Sequence, residues 1–401
     1  MVRRLTIGIE IKIFRTKMNT HMVGKWIAMS LITLVSGQMG ITQKQRPRDL
    51  GIMTGVMSTG SFNAITDVVG VKVGHFTWIE GEDIRTGVTA IIPHGGNVFE
   101  NKVPAAIYVG NGFGKLAGIT QVEELGNLET PILLTNTLSV AAGIEGLIAY
   151  TLKRSGNHGI RSVNALVGET NDGYLNNITR RMISADHVLS ALDNASTGKV
   201  EEGNVGAGTG TVCFGYKGGI GTSSRTLPKI SGGYTVGVLV QSNFGGLLMI
   251  NGVSMAGKLQ DYNVPANIAG DTDGSCMIVV GTDAPLSARN LKRLAKRAML
   301  GLARTGGIAS NGSGDYVIAF STFTENLIPH HGAEQLQTTI ELRNDAMSPL
   351  FNAVIEATEE AILNSMFMAE NMNGYNGHII KALPVDKVIH ILKQYGRIIS
   401  R

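Results

Sequence analysis

Short apolar runs broken by glycine-rich turns alternate along this chain with amphipathic stretches of helical period. Between residues 45 and 139, Gly87-Val-Thr-Ala-Ile-Ile-Pro93, Ala105-Ala-Ile-Tyr-Val109 and Pro131-Ile-Leu-Leu-Thr135 are apolar, short and flanked by turn residues, which predicts strands. Further strands are predicted at Gly208-Thr-Gly-Thr-Val-Cys-Phe-Gly215, Tyr234-Thr-Val-Gly-Val-Leu-Val-Gln-Ser-Asn243, Ser275-Cys-Met-Ile-Val-Val280 and Tyr316-Val-Ile-Ala-Phe320. Helical spacing places Val140, Ile144, Leu147, Ile148 and Leu152 on one face of a helix over 139–154, which stops at Ser155-Gly156. A second helix is expected over 180–192, followed by an exposed polar loop over 193–203. The most strongly amphipathic helix spans 287–304, with Leu291, Leu294, Ala295, Ala298, Met299 and Leu302 on one face and Gly306-Gly307 beyond its end. The longest is expected over 348–372, with Ser348 as N-cap and Pro349 at the first helical position, and a shorter one over 384–395 closes the chain.

Strands and helices mixed throughout, with glycine-rich turns among the strands, predict an α/β fold of stacked sheets covered by helices on both sides. No repeat, low-complexity tract or linker divides the chain, so residues 38–401 read as a single domain. Glycine, 52 of 401 residues, is nearly twice its usual share of about 7%, which signals tight turns and close backbone approaches. The net charge of +4 is mild and comes in part from Arg3, Arg4, Lys12, Arg15, Lys17 and Lys25, so nothing in it points to nucleic acid.

Those early cations precede the apolar run 26–35, which ends at the small residues Ser36 and Gly37. This is the layout of a secretory signal peptide over 1–37, and it implies a periplasmic or secreted protein. A disordered N-terminal extension on a cytoplasmic protein is the alternative. The run falls short of the about 20 residues that a membrane-spanning helix needs, so no stable span is expected. Cys213 and Cys276 are the two cysteines, too few for a disulfide framework, and they read as buried small hydrophobes.

Candidate chemistry centres on Gly274-Ser275, placed directly ahead of an apolar strand. Attack of the Ser275 hydroxyl on the Gly274 carbonyl, an N-to-O acyl shift and hydrolysis would free an α-amino group on Ser275. Its ordinary pKa, about 7.7 to 8.0, suits a base for the adjacent hydroxyl. A hydrolase of this kind also needs an oxyanion donor, groups that orient the nucleophile and a substrate anchor. Asn243 offers a neutral amide donor, Ser313 and Asp315 a hydroxyl and carboxylate two residues apart, and Glu169 an acid for a substrate ammonium. Each of these, and Gly274-Ser275 itself, also fits an ordinary turn, cap or surface role. Gly206-Ala-Gly-Thr-Gly210 lacks the spacing and the following helix of a dinucleotide site, and His330-His331 lack partners at metal spacing, so no metal or cofactor is expected.

Several motifs occur in a fixed order: Gly206-Ala-Gly-Thr-Gly210, Lys217-Gly-Gly-Ile-Gly-Thr-Ser-Ser-Arg225, Val238-Leu-Val-Gln-Ser-Asn-Phe-Gly245, Asp273-Gly-Ser275 with Thr282-Asp-Ala-Pro-Leu286, and Gly312-Ser-Gly-Asp315. Upstream stand Asn63-Ala-Ile-Thr-Asp67, Thr86-Gly-Val-Thr-Ala90, Pro93-His-Gly-Gly96 and Tyr108-Val-Gly-Asn-Gly-Phe-Gly114. Together they closely resemble the self-processing L-aminopeptidase/D-esterase and β-peptidyl aminopeptidase family of N-terminal-nucleophile hydrolases, over about residues 46–395.

The resemblance implies a four-layer αββα sandwich and a precursor cut between Gly274 and Ser275. The two chains, 38–274 and 275–401, would stay together and assemble as a homo-oligomer of heterodimers. It implies a serine aminopeptidase, free of cofactors, that removes the N-terminal residue from short peptides, amides or esters, β-amino acid residues among them. Ser275 matches the nucleophile, Asn243 the oxyanion-hole asparagine, Ser313 and Asp315 the pair supporting the nucleophile, and Glu169 the acid that binds the substrate amine. Some members have glutamate where Asp315 stands and tyrosine where Asn171 stands, so the support pair has a shorter reach here and the substrate side differs. Two alternatives stand beside this reading: acyl transfer of the ornithine acetyltransferase kind, which favours threonine at the cleavage point, and an uncleaved binding or scaffold protein of the same fold.

Overall fold

The computed structural model describes residues 44–259, 274–332 and 335–399, so the expected leader at 1–37 and the turn residues 271–273 lie outside it. Nine principal strands occur in chain order: β1 (Lys72–Glu80), β2 (Ile84–Ile92), β3 (Asn101–Gly112), β4 (Ile132–Asn136), β5 (Leu166–Thr170), β6 (Gly219–Thr226), β7 (Thr235–Asn243), β8 (Gly274–Thr282) and β9 (Ser313–Ser321). The helices are α1 (Ile119–Leu125), α2 (Val140–Lys153), α3 (Ala185–Asp193), α4 (Ala288–Arg304), α5 (Ser348–Phe367) and α6 (Val385–Gln394). One sheet runs β1-β2-β4-β5 and ends on the short strand Leu116–Ala117; the other runs β6-β7-β8-β9-β3 and ends on Ile328–Pro329. Within these orders β4 with β5 and β8 with β9 are parallel, and the remaining pairs are antiparallel.

Strand alternation builds the layers. In β8, Cys276, Ile278 and Val280 join the apolar cluster that includes Leu291, Leu294 and Ala298 of α4 and Val354 and Ala361 of α5. Met277 and Val279 point the other way, into the cluster between the sheets with Leu133 and Leu134 of β4. Helices α2 and α3 cover the outer face of the first sheet, α4 and α5 that of the second. The order is therefore helix, sheet, sheet, helix, the αββα sandwich that the motifs implied. Cys213 and Cys276 are free, buried thiols. None of the described helices is long and apolar enough to cross a membrane.

Local expectations differ from the structure where polar contacts override pattern. The strand expected at 208–215 is a 3-10 turn at Gly206–Gly208 and a two-residue strand at Val212–Cys213. The helix expected from 180 starts at Ala185, because Arg181 takes a left-handed conformation and Ser184 forms a capping box with His187. The long helix ends at Phe367, short of 372, and Ser348 is its first helical residue instead of its cap. The loop expected to be exposed over 193–203 buries Val200 and Glu202, whose carboxylate accepts from the Thr222 N–H at 2.9 Å and from Arg46 Nε at 2.6 Å. Strand β6 escaped the hydrophobic pattern because it is glycine, serine and threonine rich. Its Gly221 lies under α5, where a Cβ would stand 2.0 Å from the Ala361 carbonyl oxygen.

A buried ion network ties β6 to α5 and to the N-terminal part of the described chain. Arg225, fully buried, donates to Glu356 at 3.0 Å and to Glu360 at 2.6 Å. Glu360 also accepts from Arg48, from Thr54 Oγ1 at 2.7 Å and from Asn63 Nδ2 at 2.6 Å. Burial works against the charge on Glu360, but the Arg48 hydrogen bond and the charges of Arg225 and Arg48 outweigh it and hold the carboxyl at about 2. A depressed carboxyl contributes stability that is present above its ordinary value and lost as the pH falls toward its folded one. Glu360→Gln leaves two guanidinium groups undercompensated and should lower the unfolding free energy at pH 7 by about 3 kcal/mol or more. In urea titrations the gap between the two proteins should narrow as the pH drops below about 4.5.

Candidate active site

Ser275 is held by three strands at once. Strand β8 begins at Gly274, and its register sets Ser275 opposite Asn243 of β7 on one side and Gly314 of β9 on the other. The Ser275 hydroxyl donates to the Gly274 carbonyl oxygen at 2.6 Å and accepts the Gly314 N–H at 3.3 Å. The Ser275 oxygen thus lies against the Gly274 carbonyl, oriented by a backbone donor. Position 274 admits only glycine: a Cβ there would lie 2.6 Å from Phe244 Cα and 2.8 Å from the Asn243 carbonyl oxygen.

Asn243 is fixed at both ends of its amide. Its Oδ1 accepts the Val212 N–H at 2.9 Å, and its Nδ2 donates to the Asn171 carbonyl oxygen at 3.1 Å. The amide lines a cleft of about 1100 Å³ together with Gly274, Ser275, Glu169 and Asn171, so the candidate nucleophile, donor and acid share one cavity. With one Nδ2 hydrogen on Asn171, the other remains for a developing oxyanion.

Glu169, near the end of β5, is buried and preorganised. Its Oε1 accepts the Lys115 N–H at 2.8 Å, its Oε2 accepts from the Thr137 hydroxyl, and the Lys115 ammonium stands 3.7 Å away. Asn171 contributes through its backbone; its own Oδ1 turns back to the Gly173 N–H at 2.8 Å. Exposed aromatic rings at Phe113 and Tyr174 complete the cleft walls.

Ser313 and Asp315 do not meet the Ser275 hydroxyl. They pair with Gly274 and Cys276, so strand alternation turns their side chains to the helix-facing side of the sheet, bracketing Ser275 from behind. Both are buried, and among the described residues neither the Ser313 hydroxyl nor either Asp315 carboxylate oxygen makes a hydrogen bond. Burial raises the Asp315 carboxyl to about 6, and the nearby Ser313 hydroxyl and Cys276 N–H, short of good hydrogen-bond geometry, oppose it only in part. A buried carboxylate without partners is costly unless a cation joins it.

Sequence reasoning missed the backbone groups that do the holding, namely the N–H of Gly314, Val212 and Lys115 and the carbonyl of Asn171. Peptide groups carry no residue-type signal. Thr137 left none either, since a lone threonine after a strand is unremarkable.

The chain is similar to known aminopeptidases over most of its length. Residues 63–380 match the model of peptidase family S58. A β-peptidyl aminopeptidase of Sphingosinicella microcystinivorans is 38% identical over 380 residues, covering 88% of this chain and 93% of the relative. Among solved structures, a Burkholderia β-aminopeptidase superposes with a TM-score of 0.81 at 39% identity, over 88% of this chain and 99% of that one. The L-aminopeptidase D-Ala-esterase/amidase of Ochrobactrum anthropi, described as a variant of the Ntn hydrolase fold, gives 0.82 at 35% identity with the same coverage.

Gly314 tests the site's tightness. A Cβ there would lie 2.8 Å from the Phe113 carbonyl oxygen and 3.2 Å from Ser275 Oγ. Gly314→Ala should therefore displace the Ser275 hydroxyl and cut hydrolysis of an aminoacyl amide by about 100-fold. Far-UV circular dichroism should stay unchanged.

Proposed function

The chain belongs to peptidase family S58 and is a serine aminopeptidase of the N-terminal-nucleophile kind, and on that premise we propose that Ser275 cuts its own chain and then serves as the nucleophile. The observation that carries this is the Ser275 hydroxyl 2.6 Å from the Gly274 carbonyl oxygen, steadied by Gly314 N–H, with Asn243 opposite in register. In the first step Oγ adds to the Gly274 carbonyl carbon. Its proton passes to the Ser275 nitrogen as the C–N bond breaks. Water then cleaves the ester, leaving a Gly274 carboxylate and a Ser275 with free amine and hydroxyl.

The new ammonium arises beside Ser313 and Asp315, which offer a hydroxyl and a carboxylate that lack partners among the described residues. It would satisfy both and draw the Asp315 carboxyl down from about 6. The cut need not separate the products, because β8 remains paired with β7 along eight positions from Val236↔Thr282 to Asn243↔Ser275. Assembly of such heterodimers into a larger homo-oligomer completes the reading.

For a substrate, Glu169 anchors the N-terminal ammonium and Oγ attacks the first carbonyl. In its unprotonated form the Ser275 amine takes the hydroxyl proton and returns it to the leaving amine. Water repeats the sequence on the acyl-enzyme, and Asn243 Nδ2–H stabilises the oxyanion each time. Short peptides, amides and esters fit the cleft of about 1100 Å³, with β-amino acyl residues included by likeness to the β-peptidyl enzymes. Export belongs to the same reading, on the cationic stretch and apolar run before Gly37.

Purified wild type should give two bands on denaturing electrophoresis, the smaller beginning at Ser275, and Ser275→Ala a single full-length band. A wild type that stays in one piece would overturn the maturation step. Asn243→Ala should lower kcat by about 100 to 1000-fold. Release from matched β-alanyl, L-alanyl and D-alanyl amides ranks the acyl preference, and N-terminal sequencing of the larger chain shows whether residues up to Gly37 are removed.

A further inference from the structure

Lys217 is fully buried, and its ammonium has no carboxylate within ion-pair distance among the described residues. Instead Nζ donates to the carbonyl oxygens of Gly208, Thr211 and Gly218, each at 2.9 Å. Three carbonyl acceptors fit an ammonium, since a neutral amine has only two N–H groups. Burial pulls the amine down to about 7, with Cys213 and the buried Asp172 pulling the other way. Burying a charge in this manner is expensive, so a role beyond solubility or surface pairing is called for.

The Thr211 carbonyl is the informative acceptor. It belongs to the same peptide group as the Val212 N–H, which donates to Asn243 Oδ1 at 2.9 Å. One planar unit therefore connects the ammonium to the candidate oxyanion donor, running from Nζ through the 211–212 peptide to Oδ1. A cation on the carbonyl side polarises that peptide and strengthens its N–H as a donor, and chains of hydrogen bonds reinforce one another in this way inside proteins. The opposite end of the Asn243 amide is held by the Asn171 carbonyl, so the side chain has a fixed rotamer and a defined free N–H. The two-residue pairing Val212↔Lys217 and Cys213↔Tyr216 closes the turn that carries both groups.

We propose that Lys217 is a positioning residue for Asn243, acting through the Thr211–Val212 peptide to aim and polarise the oxyanion donor. The proposal rests on the assignment of Asn243 above and is tested by a double-mutant cycle on purified full-length protein. Rates are read per active site after titration with a serine-reactive acylating reagent. Lys217→Met keeps the apolar stem and removes the donors and the charge. It should lower kcat by about 10 to 100-fold while KM stays within about twofold, because the interaction lost is made to the transition state. In the Asn243→Ala background the same substitution should change kcat by less than about threefold, since the donor it acts on is already gone.

An equal factor in both backgrounds marks a general structural effect and overturns the proposal, as does an unchanged kcat in Lys217→Met alone. Should Asn243→Ala itself keep the wild-type rate, the oxyanion assignment falls first and this inference with it. Where Lys217→Met does not fold, Lys217→Gln, which retains two N–H donors without the charge, carries the same cycle.

Discussion

The register of β8 between β7 and β9 is the constraint on which the site depends. A slip of one residue would turn Ser275 to the helix-facing side and Cys276 into the cleft, because side chains alternate along a strand. The register is enforced from both faces. Cys276, Ile278 and Val280 fill one apolar cluster and Met277 and Val279 the other, and all are fully buried. No slipped arrangement could keep both sets packed. The fold therefore holds Ser275 opposite Asn243 and Gly314 through apolar packing far larger than any single contact in the site.

The buried carboxylates of two regions are treated differently by this scaffold. In the Arg225 network every charge meets an opposite one, and the depressed Glu360 carboxyl records a net gain. Around Ser275 the balance is left open. Asp315 has a raised carboxyl without hydrogen-bond partners among the described residues, and Ser313 beside it has none for its hydroxyl. Read with the proposed cleavage, the precursor holds an electrostatic deficit that a new ammonium at Ser275 would remove, which favours the cut product over the intact chain.

Most of the architecture was legible because it follows from periodicity. The apolar strands β2, β4, β7, β8 and β9 and the helices α2, α4 and α6 coincide closely with what the pattern predicts. Strands such as β6 were not, since their buried positions are glycine, serine and threonine, which reach stability through hydrogen bonds and close backbone contact with α5. At the site, side chains with distinctive chemistry were visible in advance. Ser275, Asn243 and Glu169 do share one cleft, whereas Ser313 and Asp315 lie on the opposite face of the sheet from the Ser275 hydroxyl. That distinction turns on pairing register, a long-range property that no local motif encodes.

The departure from tyrosine at position 171 falls on a residue that acts through its backbone. Its side chain folds back onto Gly173, and what reaches Asn243 is its carbonyl oxygen. Any residue supplies a carbonyl, so asparagine in place of tyrosine keeps the contact to the Asn243 amide and alters the wall of the cleft. An aromatic surface is present nearby in Tyr174, which stacks on His378 with ring centroids 4.1 Å apart and leaves about half of itself exposed. On the proposed mechanism, chemistry and selectivity thus fall to different groups. In the proposed mechanism the backbone-fixed set around Ser275 handles bond cleavage, which leaves the side chains at the rim to vary with the acyl group accepted.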